Sequence, residues 1–226
     1  GGTNFPKEPR YGMPAFGDLL KRIATYYTEK RDDVRQQSDR LLDVFNRLEP
    51  EPAAAGQVLS DAPLALARNT FEQTLDREHG GFGSAPKFPH PTTLDRLLRH
   101  WRSTANDAEP DVEALYMAAL TLARMAEGGL FDHIGGGFYR YSVDRFWQIP
   151  HFEKMLYDNG PLLAIYAQAA VATGDALFGH AANATADWML ADMRDANGGF
   201  YATRDADSEG HEGLYYLWEP DEVREL

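Results

Sequence analysis

The sequence predicts a mainly all-α protein built from repeated two-helix units, and three observations predict it. Gly-Gly-Phe occurs three times, as Gly80-Gly81-Phe82, Gly136-Gly137-Phe138 and Gly198-Gly199-Phe200, with room between copies for two helices and a loop. A two-helix unit recurring at a nearly fixed period is the mark of a helical repeat. Apolar residues recur at a spacing of three and four through most of the chain. Strand signals are scarce: only residues 138–143 and 214–218 alternate, weakly, and both read as small hairpins in long loops.

The helices are expected in order. Residues 13–30 place Phe16, Leu19, Leu20, Ile23 and Tyr27 on one stripe that should be buried, and residues 32–48 do the same with Val34, Leu41, Leu42 and Phe45. Glu49-Pro50-Glu51-Pro52-Ala53-Ala54-Ala55-Gly56 then reads as the domain boundary. Asp61 and Pro63 open a helix carrying Leu64, Phe71 and Leu75. Thr92 resembles the start of a capping box, followed by Leu94, Leu97, Leu98 and Trp101 on one face. Residues 111–126 are apolar on most of their circumference and should be enclosed, as should 159–173. Residues 175–194 carry Phe178, Ala182, Thr185, Trp188 and Met193, and Pro220-Asp221-Glu222 looks like a further helix start. The three loops follow alternate helices and so should gather at one end. An open solenoid and a closed ring of hairpins both fit, and enclosed helices alternating with amphipathic ones favour the ring.

Composition excludes several functions. The 226 residues carry 22 Lys+Arg against 35 Asp+Glu, a net charge of −13. Such an acid excess argues against nucleic acid and against an anionic membrane surface. There is no cysteine, so disulfides, thiolate zinc sites and a redox dithiol are excluded within the chain. No apolar run approaches the ~18 residues of a membrane span. The opening Gly-Gly pair without an initiator Met, and the stop soon after Pro220, read as the two ends of a piece of a longer protein.

The richest chemistry lies in residues 128–159. Asp132, His133, Arg140, Asp144, Trp147, His151, Glu153, Lys154 and Asp158 sit there among glycines and aromatics, including Tyr139. Long loops with titratable and aromatic side chains on a rigid scaffold are where binding and catalysis concentrate. His133 and His151 have the ring chemistry of a general acid or base, or each is hydrogen-bonded to a carbonyl or carboxylate. Pro150 should start a helix running to Asp158, with Lys154 and Asp158 as an intrahelical pair and Glu153 near the helix start. At least one of His151 and Glu153 should then line the largest concavity, near Asp132 or Asp144. Trp147 is either a sugar-stacking platform or a core residue. In the third copy, Asp205-Ala206-Asp207-Ser208-Glu209-Gly210 imitates the opening of a calcium loop, but Tyr216 stands where a bidentate Glu belongs, so no metal is expected. Asp205 and Asp207 instead suit the hydroxyls of a sugar. His90 is the titrating residue of the first copy. Phosphate-loop, nucleophile-elbow and zinc-helix motifs are absent.

The stretches GGTNFPKEPRYGMPAF, FGSAPKFPHP, GGLFDHIGGGFYRYSVDRFWQIPHFEKMLYDN and GGFYATRDADSEG resemble the thioredoxin-domain proteins of the spermatogenesis-associated protein 20 type. Asn4 stands where that family usually has an aromatic. The resemblance implies a partial (α/α)6 six-hairpin toroid at residues 60–226. Residues 1–48 would be the C-terminal part of a thioredoxin-like domain with its exit helices, and 49–59 a linker. Five complete helices and the start of a sixth would make about half of a ring. Toroids of this type house glycosidases and epimerases of the N-acylglucosamine 2-epimerase kind. The implied function is therefore a cytoplasmic, carbohydrate-active protein, a sugar isomerase or epimerase or a glycoside hydrolase without cofactor. Its partner would be a carbohydrate or another hydroxyl-rich small molecule. On that reading His151, Glu153, His133, Asp132, Asp144 and Asp158 are the catalytic candidates. Trp147, Tyr139, Arg140, Lys154, Asp205 and Asp207 are the binding candidates. The competing reading is a thioredoxin-like redox or client-binding protein whose helical part recognises a partner.

Overall fold

A computed structural model describes residues 6–10, 12–49 and 60–225. The chain divides into two compact units, Gly1–Leu59 and Ser60–Leu226. The linker expected at 49–59 and the opening five residues lie almost wholly outside the described residues.

The first unit holds α1 (Phe16–Glu29) and α2 (Arg31–Leu48), which touch each other. Neither contains a buried residue. The stripes expected to be buried are present and uncovered: Leu20 is 50% exposed and Phe45 58%. Two helices alone have too little surface to enclose a core.

The second unit holds α3 (Ala62–Thr74), α4 (Pro91–Thr104), α5 (Val112–Glu127), α6 (Leu156–Thr173), α7 (Ala176–Trp188) and the short α8 (Pro220–Glu225), with a π-helical turn extending α7 over Met189–Met193. Its strands are two-residue pieces. These are β1 (Tyr141–Ser142), β2 (Pro150–His151), β3 (Lys154–Met155), β4 (Thr203–Arg204), β5 (Asp207–Ser208) and β6 (His211–Glu212). Helices α3, α5 and α7 pack in succession, as do α4 and α6, giving two layers of stacked hairpins. Long loops follow α3, α5 and α7, as the repeat predicts. They are stitched together: Lys87 of the first bridges Ser142 of the second, and β3 of the second pairs with β4 of the third.

Capping fixes the helix starts. Asp111 and Asp175 accept from the Ala114 and Leu177 amides at the starts of α5 and α7. The capping box expected at Thr92 does not form. His90 is the cap residue of α4 without a side-chain bond, and Pro91 occupies the first turn. The core joins Leu94, Leu97, Met117, Leu122, Leu162 and Tyr166 to Phe138 and Trp147 from the second loop. Burying each such side chain contributes roughly 1.5–3 kcal/mol. The fully buried Tyr166 hydroxyl is satisfied by the Leu122 carbonyl at 2.7 Å. Helix α5 is enclosed on one side only, since Tyr116 is 45% exposed. Residues 214–216 form a 3-10 turn and not the expected hairpin strand. Among the described residues, no helix is long and apolar enough to cross a membrane.

Candidate active site on the loop face

Two loops share one internal clamp. In the first, the Lys87 ammonium donates to Asp76 Oδ2 at 2.8 Å and to the Gly80 carbonyl at 2.6 Å. In the second, the Lys154 ammonium donates to Asp132 Oδ2 at 2.6 Å and to the Gly136 carbonyl at 2.7 Å. Both lysines are 1% exposed. In each loop the other aspartate oxygen accepts two backbone amides, Glu78 and His79 or Ile134 and Gly135. The second glycine of each pair has positive φ and lies against a tryptophan. A Cβ on Gly81 would sit 2.6 Å from Trp147, and one on Gly137 2.6 Å from Trp188. Only glycine fits there. Each ammonium also faces the same tryptophan, Lys87 at 5.5 Å and Lys154 at 4.9 Å from the ring centroid. Burial alone would raise the Asp132 carboxyl. The bond from Lys154 and the amide of Gly135 outweigh it and hold the carboxyl below the usual carboxylate range.

The clamp accounts for several candidates. Asp132 and Lys154 are its ion pair, and Lys154 lies in strand β3, so the intrahelical pair with Asp158 does not exist. Helix α6 begins at Leu156, because residues 150–155 are drawn into pairing with the second and third loops. Trp147 is wholly buried at a φ of 65°, with its indole N–H donating to the His79 carbonyl at 2.8 Å. It is the core residue and not the stacking platform. Tyr139 is 5% exposed and packs edge-on against Phe152 and Tyr216. Asp144 builds a turn, accepting the amides of Phe146, Gln148 and Ile149. His133 Nε2 lies 3.0 Å from the Gly128 carbonyl and the ring packs edge-on against Phe131. In sequence, the clamp's signal is an aspartate four residues before the first glycine in both copies, Asp76 and Asp132.

The remaining candidates converge. Arg140 Nη1 donates to Glu153 Oε2 at 2.7 Å, and the Arg140 amide bonds the Glu153 carbonyl at 2.7 Å. His151 Nε2 lies 3.6 Å from the same Glu153 oxygen. Its Nδ1 lies 2.6 Å from Glu212 Oε1 on β6, a contact invisible to a reading along the chain. An ionised carboxylate only accepts, so Glu212 requires the proton on Nδ1 and leaves Nε2 turned toward Glu153. The His151 ring stacks on Tyr141 at 4.8 Å, and Tyr141 stacks on Phe88, which is 39% exposed. This aromatic row was also missed in the sequence. It assembles from the first two loops through the bridges that stitch them.

Asp158 lies in the first turn of α6 and is 8% exposed. Among the described residues its carboxyl makes no hydrogen bond. Burial pushes it up to about 6, against the opposing charge of Arg140. A buried carboxyl raised in this way near an arginine is a candidate for proton transfer.

Asp205 and Asp207 border this cluster from the third loop, Asp207 standing opposite Glu212. They line a cleft of about 230 Å³ with Arg204, Ser208, Tyr215 and Tyr216. Two other clefts of this unit are lined by Asp76 and Arg145 and by His79 and Phe146 with their neighbours. Neither His151 nor Glu153 lines any of these three clefts. With Pro150–His151 and Lys154–Met155 in strands, the two side chains are half-buried on the loop face and do not start a helix. No group of three or more His, Asp or Glu is placed to hold a metal ion among the described residues.

Comparison with known proteins places the chain. No family model matches it. It is 36% identical to spermatogenesis-associated protein 20 of Rattus norvegicus over 235 residues, covering 100% of this chain and 30% of that protein. Over its full length the chain is homologous to a segment of spermatogenesis-associated protein 20. The human protein is 35% identical over the same extent. The chain thus spans about 30% of the length of the curated relatives it matches.

In fold, the chain is similar to a sugar epimerase from a ruminal bacterium, with a TM-score of 0.50 at 16% identity over 63% of this chain and 40% of that one. It is equally similar to the cellobiose 2-epimerase of Bacillus thermoamylovorans, with a TM-score of 0.50 at 15% identity over 65% of this chain and 42% of that one. The fold is mainly α and corresponds to part of an (α/α)6 toroid.

Proposed function

We propose that the loop face of the second unit binds a reducing sugar and moves a proton on its ring-opened form, as an epimerase or isomerase does. The observation that carries this reading is the arrangement around His151. Glu212 fixes the tautomer, and Nε2 is presented beside the Arg140–Glu153 pair at the end of an exposed aromatic row. Phe88, the exposed end of the row, supplies an apolar face for the sugar's C–H side. His151 Nε2 removes the proton next to the carbonyl. The Arg140 guanidinium stabilises negative charge on the carbonyl oxygen. Asp158, raised to about 6, supplies the acid through the fraction that stays protonated below neutral pH. The fold likeness to sugar epimerases is a warrant by analogy and agrees with this.

A thioredoxin-like identity for the first unit belongs to the same proposal. It is supported by the sequence resemblance and by the apolar stripes of α1 and α2, which call for a larger body to cover them.

The test is exchange. The full-length protein is incubated with a panel of reducing sugars in D₂O, and deuterium at C2 and the epimer are read by NMR. Exchange that His151→Ala and Asp158→Asn each abolish supports the reading. No exchange with any sugar, or full exchange in both variants, refutes it.

A further inference from the structure

The cleft in the third loop is a separate feature with its own wall of aromatic and carboxylate groups. Arg204, Asp205, Asp207, Ser208, Tyr215 and Tyr216 line it. At about 230 Å³ it is smaller than the ~300–1,000 Å³ pockets that enclose drug-sized ligands, and it suits a single ring. Tyr215 is 73% exposed and meets Tyr216 edge to face at 5.0 Å. Among the described residues, no side chain bonds the Asp207 carboxylate or the Tyr215 hydroxyl.

The cleft abuts the His151 site through two contacts. Asp207 is the cross-strand partner of Glu212, the residue that holds His151. Tyr216 forms part of the cleft and stacks face to face on Phe152 at 5.5 Å, the residue between His151 and Glu153. Side chains of directly opposed residues stand only ~4.5–5.5 Å apart at Cβ. One ligand two rings long therefore reaches both places.

We propose that this cleft is a second sugar-binding subsite, taking the unit linked to the one that reacts at His151. Tyr215 offers the stacking face, Asp205 and Asp207 accept hydrogen bonds from sugar hydroxyls, and Arg204 donates to ring or hydroxyl oxygens. The substrate class is then a reducing disaccharide or longer oligosaccharide. This rests on the sugar-binding reading of the His151 site.

Calorimetric titration of the full-length protein tests it, with glucose and mannose set against reducing disaccharides of glucose. The expected result is that a disaccharide binds about tenfold tighter than its monosaccharide. Asp207→Asn and Tyr215→Ala, made separately at exposed positions, should bring that ratio close to one. Monosaccharides and disaccharides bound equally well, or a preference that both variants leave intact, would overturn the subsite while leaving the reading of His151 standing. Absence of binding to any sugar overturns both.

Discussion

Lys87 and Lys154 close two loops in the same way: each ammonium bonds the aspartate that opens its loop and the carbonyl of the first glycine, and each faces a tryptophan. The relation makes Asp132 and Lys154 scaffold and leaves the chemistry to their neighbours. Replacing Lys154 with Met leaves the Asp132 carboxylate, 10% exposed, without its countercharge. The expected cost is about 3–5 kcal/mol in urea unfolding. Lys154→Met combined with Asp132→Asn should recover much of it, because the amide oxygen still accepts the Ile134 and Gly135 amides. A single Lys154→Met variant of unchanged stability would contradict the clamp.

The glycine pairs give a graded comparison. Gly137→Ala forces a left-handed alanine against Trp188, so backbone strain and overpacking add to about 3 kcal/mol or more. Gly198 is also left-handed, but among the described residues its Cβ would meet nothing within 4 Å. Gly198→Ala should cost only the strain, about 1–2 kcal/mol. Equal melting shifts for the two would show that Trp188 does not press on the second loop.

Asp158 sets a stability gradient with a definite sign. Its folded carboxyl titrates at about 6, above the ordinary 3.8. Between these values the unfolded chain ionises first, so stability falls as pH rises. Asp158→Asn removes that slope. The variant should match the parent near pH 3 and exceed it by about 3 kcal/mol at pH 7, while losing sugar exchange. A parent whose stability is flat across pH 4 to 6, or an Asn variant less stable at pH 7, would count against a raised carboxyl.

Glu212→Gln separates positioning from structural support. The Glu212 side chain is 53% exposed, so its pair with His151 contributes little to folding. Holding the imidazole proton on Nδ1 matters to a base acting through Nε2. The variant should melt with the parent, keep its KM, and lose kcat by a factor of ten or more, about the scale of general-base effects. A loss of stability with kcat intact would make the pair an ordinary surface contact.

Much of the fold was legible because its determinants are local. The stripe in Leu94, Leu97 and Leu98 and the aspartates before α5 and α7 act within one or two helical turns. The Gly-Gly-Phe repeat announced the hairpins and where their loops fall. The site was legible only in outline. Pro150 pointed to a helix start by local rule, but Tyr141 and Arg204, reaching in from the second and third loops, hold residues 150–155 extended. Trp147 carries no mark of burial in its neighbours; the two loops closing over it bury it. The His151–Glu212 contact depends on where the third loop returns, which no spacing encodes.

The glycine pairs also carry a direction in time. Gly80 and Gly81 are covered by Thr121 and Trp147, and Gly136 and Gly137 by Ala184 and Trp188. In both loops the cover comes from residues synthesised later. A nascent chain therefore holds each loop unfinished until the next hairpin has emerged, and it seals them in the order in which they leave the ribosome. A stop codon placed directly after either of these two loops would leave its glycine pair unsealed, exposing that loop to proteases before the helices already packed behind it.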